Sequence, residues 1–383
     1  MKVGVSINTL NTPDWDRVKA EDWSRPPVRP DWEAFRGTLA LGELVEPLGF
    51  DSLWASEHFG SPYGMVPNTL QMLAYWAGRT ERIDLGSIVV VLPWWNPIRL
   101  AHEVAILDLL LAGRRFRFGV GRGVAREEYE ALGIPQEESR ERFKETLDIL
   151  ELALTQQRFS YEGKIFTIPE TSIRPQWRSP DLLDGLLCAS TSPESMQIAA
   201  DRGLGQLFVT GAPLAEVSRQ VGEFNTIRAR NGLPPQQPTV YMWAHCVETE
   251  AQAADAQKYF QRYQLEVADH YGFTKPDNFK GLKGYERYHE SQQRQTNAGP
   301  GNANVAFSEH QLIGTPDQII ATAEYLQEMT STNEVVVIFQ FGGIEDHAAE
   351  RSMHMFAREV LPALHAMKTP LRDHHLPQAV ELN

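Results

Sequence analysis

Ser56-Glu57-His58-Phe59 follows directly on a short apolar run, residues 51–55, that reads as a β-strand. An imidazole at the C-terminal end of a strand can give or take a proton near neutral pH. The same position also suits a histidine satisfied by local hydrogen bonds. Glu57 beside it could orient the ring or point into the wall of the sheet. A second group, Thr191-Ser192-Pro193-Glu194-Ser195, follows another apolar run and opens a helix. Free amides and the positive end of the helix dipole gather there. With the hydroxyls of Thr191, Ser192 and Ser195 they would cradle a phosphate monoester, although an ordinary N-cap has the same appearance.

Two further groups sit at strand ends. Gly119-Val120-Gly121-Arg122-Gly123 lets a ligand approach the backbone, and Arg122 offers a planar fork to an anion. The spacing is not that of a dinucleotide-binding loop. Trp94-Trp95, between prolines, could wall a flat ring or an apolar substrate, or pack against a neighbouring loop. Trp54, Tyr75, Trp76 and Trp243 read as core. His58, His102, His245, His310 and His347 are scattered without metal-ligand spacing, so no metal is expected.

These residues need a scaffold that aligns strand ends. Apolar runs at 3–8, 51–55, 84–91, 115–120, 185–190, 205–209, 238–246 and 333–339 alternate with helical patterns at 32–48, 67–80, 97–111, 137–155, 193–202, 214–231, 249–270 and 316–329. Eight such repeats are the count for a closed (β/α)8 TIM barrel; an open doubly wound sheet is the alternative. Residues 1–366 are expected to form one such domain, with a helix at 347–366 and a frayed tail after Lys368. Residues 10–31 and the long polar stretch 272–311 interrupt the rhythm. The second is expected to be a mobile insertion or a lid over the barrel mouth.

The chain has 383 residues, a formal charge of −14 and a pI near 5.3. An acidic surface argues against nucleic-acid and anionic-membrane partners. Two cysteines, Cys188 and Cys246, suggest a reducing compartment. No apolar run is long enough to span a membrane, and the N-terminus lacks a signal-peptide pattern, so a cytoplasmic location is expected.

The stretch Gly49 to Phe59 resembles the second-strand signature of the bacterial luciferase-like flavin monooxygenases. The stretch Arg82 to Gly123, with its LGSIVVVLPWWNPIRLAHEVAILDLLLAGRRFRFGVGRG, is similar to that family's strand–helix–strand unit. STSPESMQIAADRGLG resembles its phosphate-binding helix start, and GTPDQIIATAEYL a late loop and helix. The similarity spreads over roughly residues 1–365.

The resemblance implies a barrel that uses reduced FMN and O2 and works through a flavin hydroperoxide. It also implies a separate NAD(P)H:flavin reductase as partner, and a homodimer. By position His58 takes the catalytic role. Arg122, Thr191, Ser192 and Ser195 take the FMN phosphate. Ile88-Val89 corresponds to a peptide, often cis, beneath the isoalloxazine ring. Glu57, Trp94 and Trp95 fall to the substrate wall. This chain has His58-Phe59 where the luciferases have two histidines, and an extra arginine in Gly113 to Phe116. It also carries Trp94-Trp95 where smaller or polar residues are common. These departures point away from light emission and toward an oxygenase for a small apolar organic molecule. Deazaflavin-dependent hydride transfer and non-catalytic flavin binding are the alternatives on the same fold.

Overall fold

The computed structural model describes residues 1–190, 192–209, 213–298 and 310–377. Thirteen strands occur among them: β1 (Lys2–Ser6), β2 (Ser52–Ala55), β3 (His58–Ser61), β4 (Gly64–Val66), β5 (Asp84–Val91), β6 (Phe116–Gly121), β7 (Phe159–Glu162), β8 (Thr167–Thr171), β9 (Leu187–Ala189), β10 (Gly205–Val209), β11 (Thr239–Cys246), β12 (Leu312–Gly314) and β13 (Glu334–Ile338). Eight of them pair in parallel in the order β1-β2-β5-β6-β9-β10-β11-β13, and β13 returns to β1. The ring is closed, so the open doubly wound sheet is excluded.

The runs expected as strands are these eight, with ends that agree to within two residues. β11 and β13 are buried along their whole length. That is why they carry apolar residues on both faces rather than alternating. Trp54 fills the barrel interior because its neighbours have no side chains. A Cβ on Gly4 would come within 2.5 Å of its indole, and one on Gly86 within 2.3 Å. Trp76 and Trp243 are also buried, but Tyr75 is not core: it stands 42% exposed on the outer face of its helix.

The outer helices begin where the sequence places caps. Asn96 accepts from the amides of Ile98 and Arg99, and Thr315 forms a capping box with Gln318. The C-terminal helix runs Asp346–Met355, widens to a π turn at Phe356–Val360 and ends with Leu361–Ala366. Pro362 has no amide to donate at that point, which accounts for the break in the ladder.

Some local elements add to or differ from the expectations. Residues 58–66, just after the strand 51–55, form the antiparallel hairpin β3–β4. Residues 10–31 contain the helix Thr12–Lys19. Within the expected insertion or lid 272–311, Phe279 and Tyr285 are fully buried and a helix runs Glu286–Ala298, while 299–309 lie outside the described residues. The tail through residue 377 packs back instead of fraying: His375 is fully buried, with ring nitrogens 2.9 Å and 2.7 Å from the hydroxyls of Ser218 and Ser331.

Candidate active site

β2 delivers Ser56, Glu57 and His58 to the C-terminal rim of the barrel, and the turn into β3 sends neighbouring side chains in different directions. Glu57 points inward and is buried. Its carboxylate accepts from the Val91 amide at 2.6 Å and from Trp95 Nε1 at 3.1 Å. Both partners lie at or just beyond the end of β5. Burial pushes its pKa up to about 8, against the lowering effect of those two donors. Glu57 therefore braces one strand end against the next.

His58 faces the opening. Its Nδ1 lies 2.9 Å from Glu128 Oε1, and its Nε2 lies 3.3 Å from Tyr271 Oη. Tyr63 and His270 flank the ring at 5.0 and 5.2 Å between centroids.

The anion-binding side lies across the mouth. Ser192 caps the helix Pro193–Asp201, accepting from the Ser195 amide at 3.2 Å and donating to Ser195 Oγ at 2.9 Å. Thr191 falls outside the described residues. Arg122 approaches from the end of β6. Its Nη2 donates to the Gly284 carbonyl at 2.7 Å and its guanidinium lies 4.1 Å from the Tyr285 ring centroid. Its Nη1 is buried without a hydrogen-bond partner in the protein. Arg140 stands beside it, paired with Glu194. An unpaired guanidinium nitrogen, two hydroxyls and the positive end of a helix dipole make a set that fits a phosphate monoester.

Both sides open on one cavity of about 450 Å³. Glu57, His58, Ile88, Val89, Trp94, Arg122, Ser192 and Ser195 all line it. The Ile88–Val89 peptide is cis, and the β5–β6 register shifts between Ser87 and Val90. Trp95 is not on the wall; its indole is spent on Glu57. The outer wall is aromatic, with Tyr63, Tyr271, Phe273 and Tyr288. A larger cleft of about 870 Å³ lies at the opposite end of the barrel. Its central charges neutralise each other, Arg117 and Glu334 meeting at 2.7 Å. Reactive groups belong at the C-terminal rim, so the smaller cavity is the candidate.

Sequence reasoning missed Glu128, His270, Tyr271 and Arg140. His58, Glu128 and His270 place possible metal-ligand atoms within 4.8 Å of one another, so the histidines are not all scattered. Glu128 Oε1 is already engaged by the His58 ring and the Phe59 amide, and the group is a hydrogen-bonded network. The only advance signal for Glu128 was a carboxylate soon after a strand-end glycine run. For His270 there was none.

A family model described as luciferase-like monooxygenase matches residues 1–333. The chain belongs to the luciferase-like monooxygenase family. It is 24% identical over 347 residues to the alkanal monooxygenase alpha chain of Photobacterium leiognathi, covering 89% of this chain and 96% of that one. Among solved structures, the family fold is shared with the oxygenating constituent of 3,6-diketocamphane monooxygenase of Pseudomonas putida, a type II Baeyer–Villiger enzyme in complex with FMN. The TM-score is 0.71 at 20% identity, covering 94% of this chain and 98% of the other. It is shared too with an F420-dependent secondary alcohol dehydrogenase, with a TM-score of 0.65 at 16% identity, covering 95% and 98%. Within this luciferase-like barrel, no helix among the described residues is long and apolar enough to cross a membrane.

Proposed function

We propose that this protein is the oxygenase of a two-component flavin monooxygenase. It would take reduced FMN from a separate NAD(P)H:flavin reductase in the cytoplasm and work as a homodimer on a small apolar organic substrate. The observation that carries the reading is the single cavity holding His58, the cis Ile88–Val89 peptide and the Arg122/Ser192/Ser195 donors together. The relatives named above include monooxygenases, one solved with FMN.

Each residue then has a task. Ser192, Ser195 and Arg122 bind the phosphate, with Arg140 adding positive charge behind them. The cis Ile88–Val89 backbone lines the cavity and would support the flat ring system. Reduced flavin, when bound, supplies the electrons that activate O2. His58 Nε2 holds or moves the proton next to the reacting oxygen. Trp94, Tyr63, Phe273 and Tyr288 pack the apolar substrate and exclude water, which protects a reactive oxygen species from wasteful decay.

Anaerobic titration with reduced FMN and with a reduced deazaflavin, followed by admission of air, tests this. Reduced FMN should bind, and O2 should be consumed in proportion to an added ketone, aldehyde or phenol that is converted. Binding of the deazaflavin alone, with no O2 uptake, would instead assign hydride transfer. An FMN complex inert to reductant and O2 would assign a non-catalytic barrel.

A further inference from the structure

Glu128 lies on the short helix Arg126–Ala131 after β6 and is buried. Its Oε1 has two hydrogen-bond partners and a third nitrogen nearby, beyond hydrogen-bond distance. His58 Nδ1 lies at 2.9 Å, the Phe59 amide at 3.2 Å and His270 Nε2 at 3.6 Å. His270 ends the helix Glu250–His270; its Nδ1 lies 3.0 Å from Ser61 Oγ and its ring stacks on Tyr63 at 4.3 Å. Burial opposes a charge on Glu128, but His58 and His270 outweigh it and hold the carboxyl down at about 2. The other edge of the His58 ring, Nε2, faces Tyr271 and the cavity.

An ionised carboxylate can only accept hydrogen bonds. Whatever pairs with it through Nδ1 must carry the proton there, and the opposite nitrogen is then an acceptor, here within reach of the Tyr271 hydroxyl. A carboxylate hydrogen-bonded to the far nitrogen is a common way to fix the tautomer and orientation of a working histidine.

We infer that Glu128 is a positioning residue for His58: it keeps the proton on Nδ1 and leaves Nε2 as the atom that exchanges protons in the cavity. The inference rests on the assignment of His58 to the chemistry proposed above. The arrangement lies in the molecule itself and does not depend on which flavin binds.

The test is nitrogen NMR of ¹⁵N-histidine-labelled protein, with the His58 signals identified by their loss in His58→Gln. In the wild type, neutral His58 should be the Nδ1–H tautomer. Glu128→Gln keeps a carbonyl that can accept, so the tautomer should persist. Without the charge, however, kcat should fall tenfold or more while the FMN dissociation constant stays unchanged. Glu128→Leu removes the acceptor and should convert His58 to the Nε2–H form. A wild-type His58 found as Nε2–H would overturn the inference even if the leucine variant fails to fold. So would unchanged turnover in Glu128→Gln, or a stoichiometric divalent metal in the purified protein. The tautomer measurement needs no cofactor, so failure of the FMN assignment would leave this result standing on its own.

Discussion

Arg122 Nη2 donates to the carbonyl of Gly284 at 2.7 Å, so the cation assigned to the cofactor phosphate also holds down the segment beside the barrel mouth. The same segment is tied at Arg126 Nη2 to the Asn278 carbonyl, at Tyr285 Oη to the Gly123 carbonyl, and by the Lys275–Glu127 ion pair. One guanidinium nitrogen serves the segment and the other is left for an anion.

Arg122→Ala should therefore show two effects at once. Charge-assisted hydrogen bonds contribute about 1.5–3 kcal/mol, so FMN affinity should fall about ten- to a hundredfold by fluorescence titration. Limited proteolysis within 272–298 should accelerate in the same variant. Arg122→Lys keeps the charge but not the fork and should recover only part of the affinity. Unchanged cleavage would separate the segment from the phosphate site.

The Ser192 hydroxyl both caps a helix and faces the cavity. Ser192→Ala should lose about 1 kcal/mol of stability in denaturant unfolding, the usual loss for an N-cap. It should also weaken FMN binding while leaving riboflavin, which lacks the phosphate, unaffected. Equal losses for FMN and riboflavin would place the phosphate elsewhere.

Glu57 makes stability depend on pH. Its folded value of about 8 lies above the ordinary 4.5. A raised acid contributes stability that is full below the unfolded value and is lost as pH rises through the folded one. Urea midpoints of the wild type should therefore fall, relative to Glu57→Gln, between about pH 5 and about pH 8. Parallel curves for the two proteins would show that Glu57 stays ionised.

Trp94 and Trp95 should separate in function, because only the first lines the cavity. Trp94→Leu should raise kcat/KM for bulky substrates relative to small ones by about tenfold, since reshaping an apolar wall changes discrimination by one or two kcal/mol. Trp95→Leu removes a donor from Glu57 and should act on stability, with substrate ratios unchanged.

The sequence made the barrel readable because buried parallel strands are apolar on both faces, and because Asn96, Ser192 and Thr315 mark helix starts. His58 and the Ser192/Ser195 pair could be located because each follows a strand directly. The network around His58 could not. Glu128 lies 70 positions away, and no local pattern brings a carboxylate to an imidazole over that distance. Glu57 lines the cavity as expected of a wall residue, but its hydrogen bonds to the Val91 amide and the Trp95 indole were not readable from the sequence. Residues 272–298 are polar in composition, yet Phe279 and Tyr285 are buried and help to anchor them. The hairpin β3–β4 was hidden by its shortness and its glycines, which leave no alternation to detect.

The central claim is that His58 and the phosphate donors across the cavity serve one reduced flavin in transferring an atom of O2 to substrate. Mass spectrometry of product formed with reduced FMN and ¹⁸O2 measures this directly. One ¹⁸O per product molecule is expected in the wild type, and in His58→Ala, with FMN affinity intact, conversion of most of the consumed oxygen to hydrogen peroxide. Product oxygen drawn from water, or undiminished labelling in His58→Ala, would contradict it.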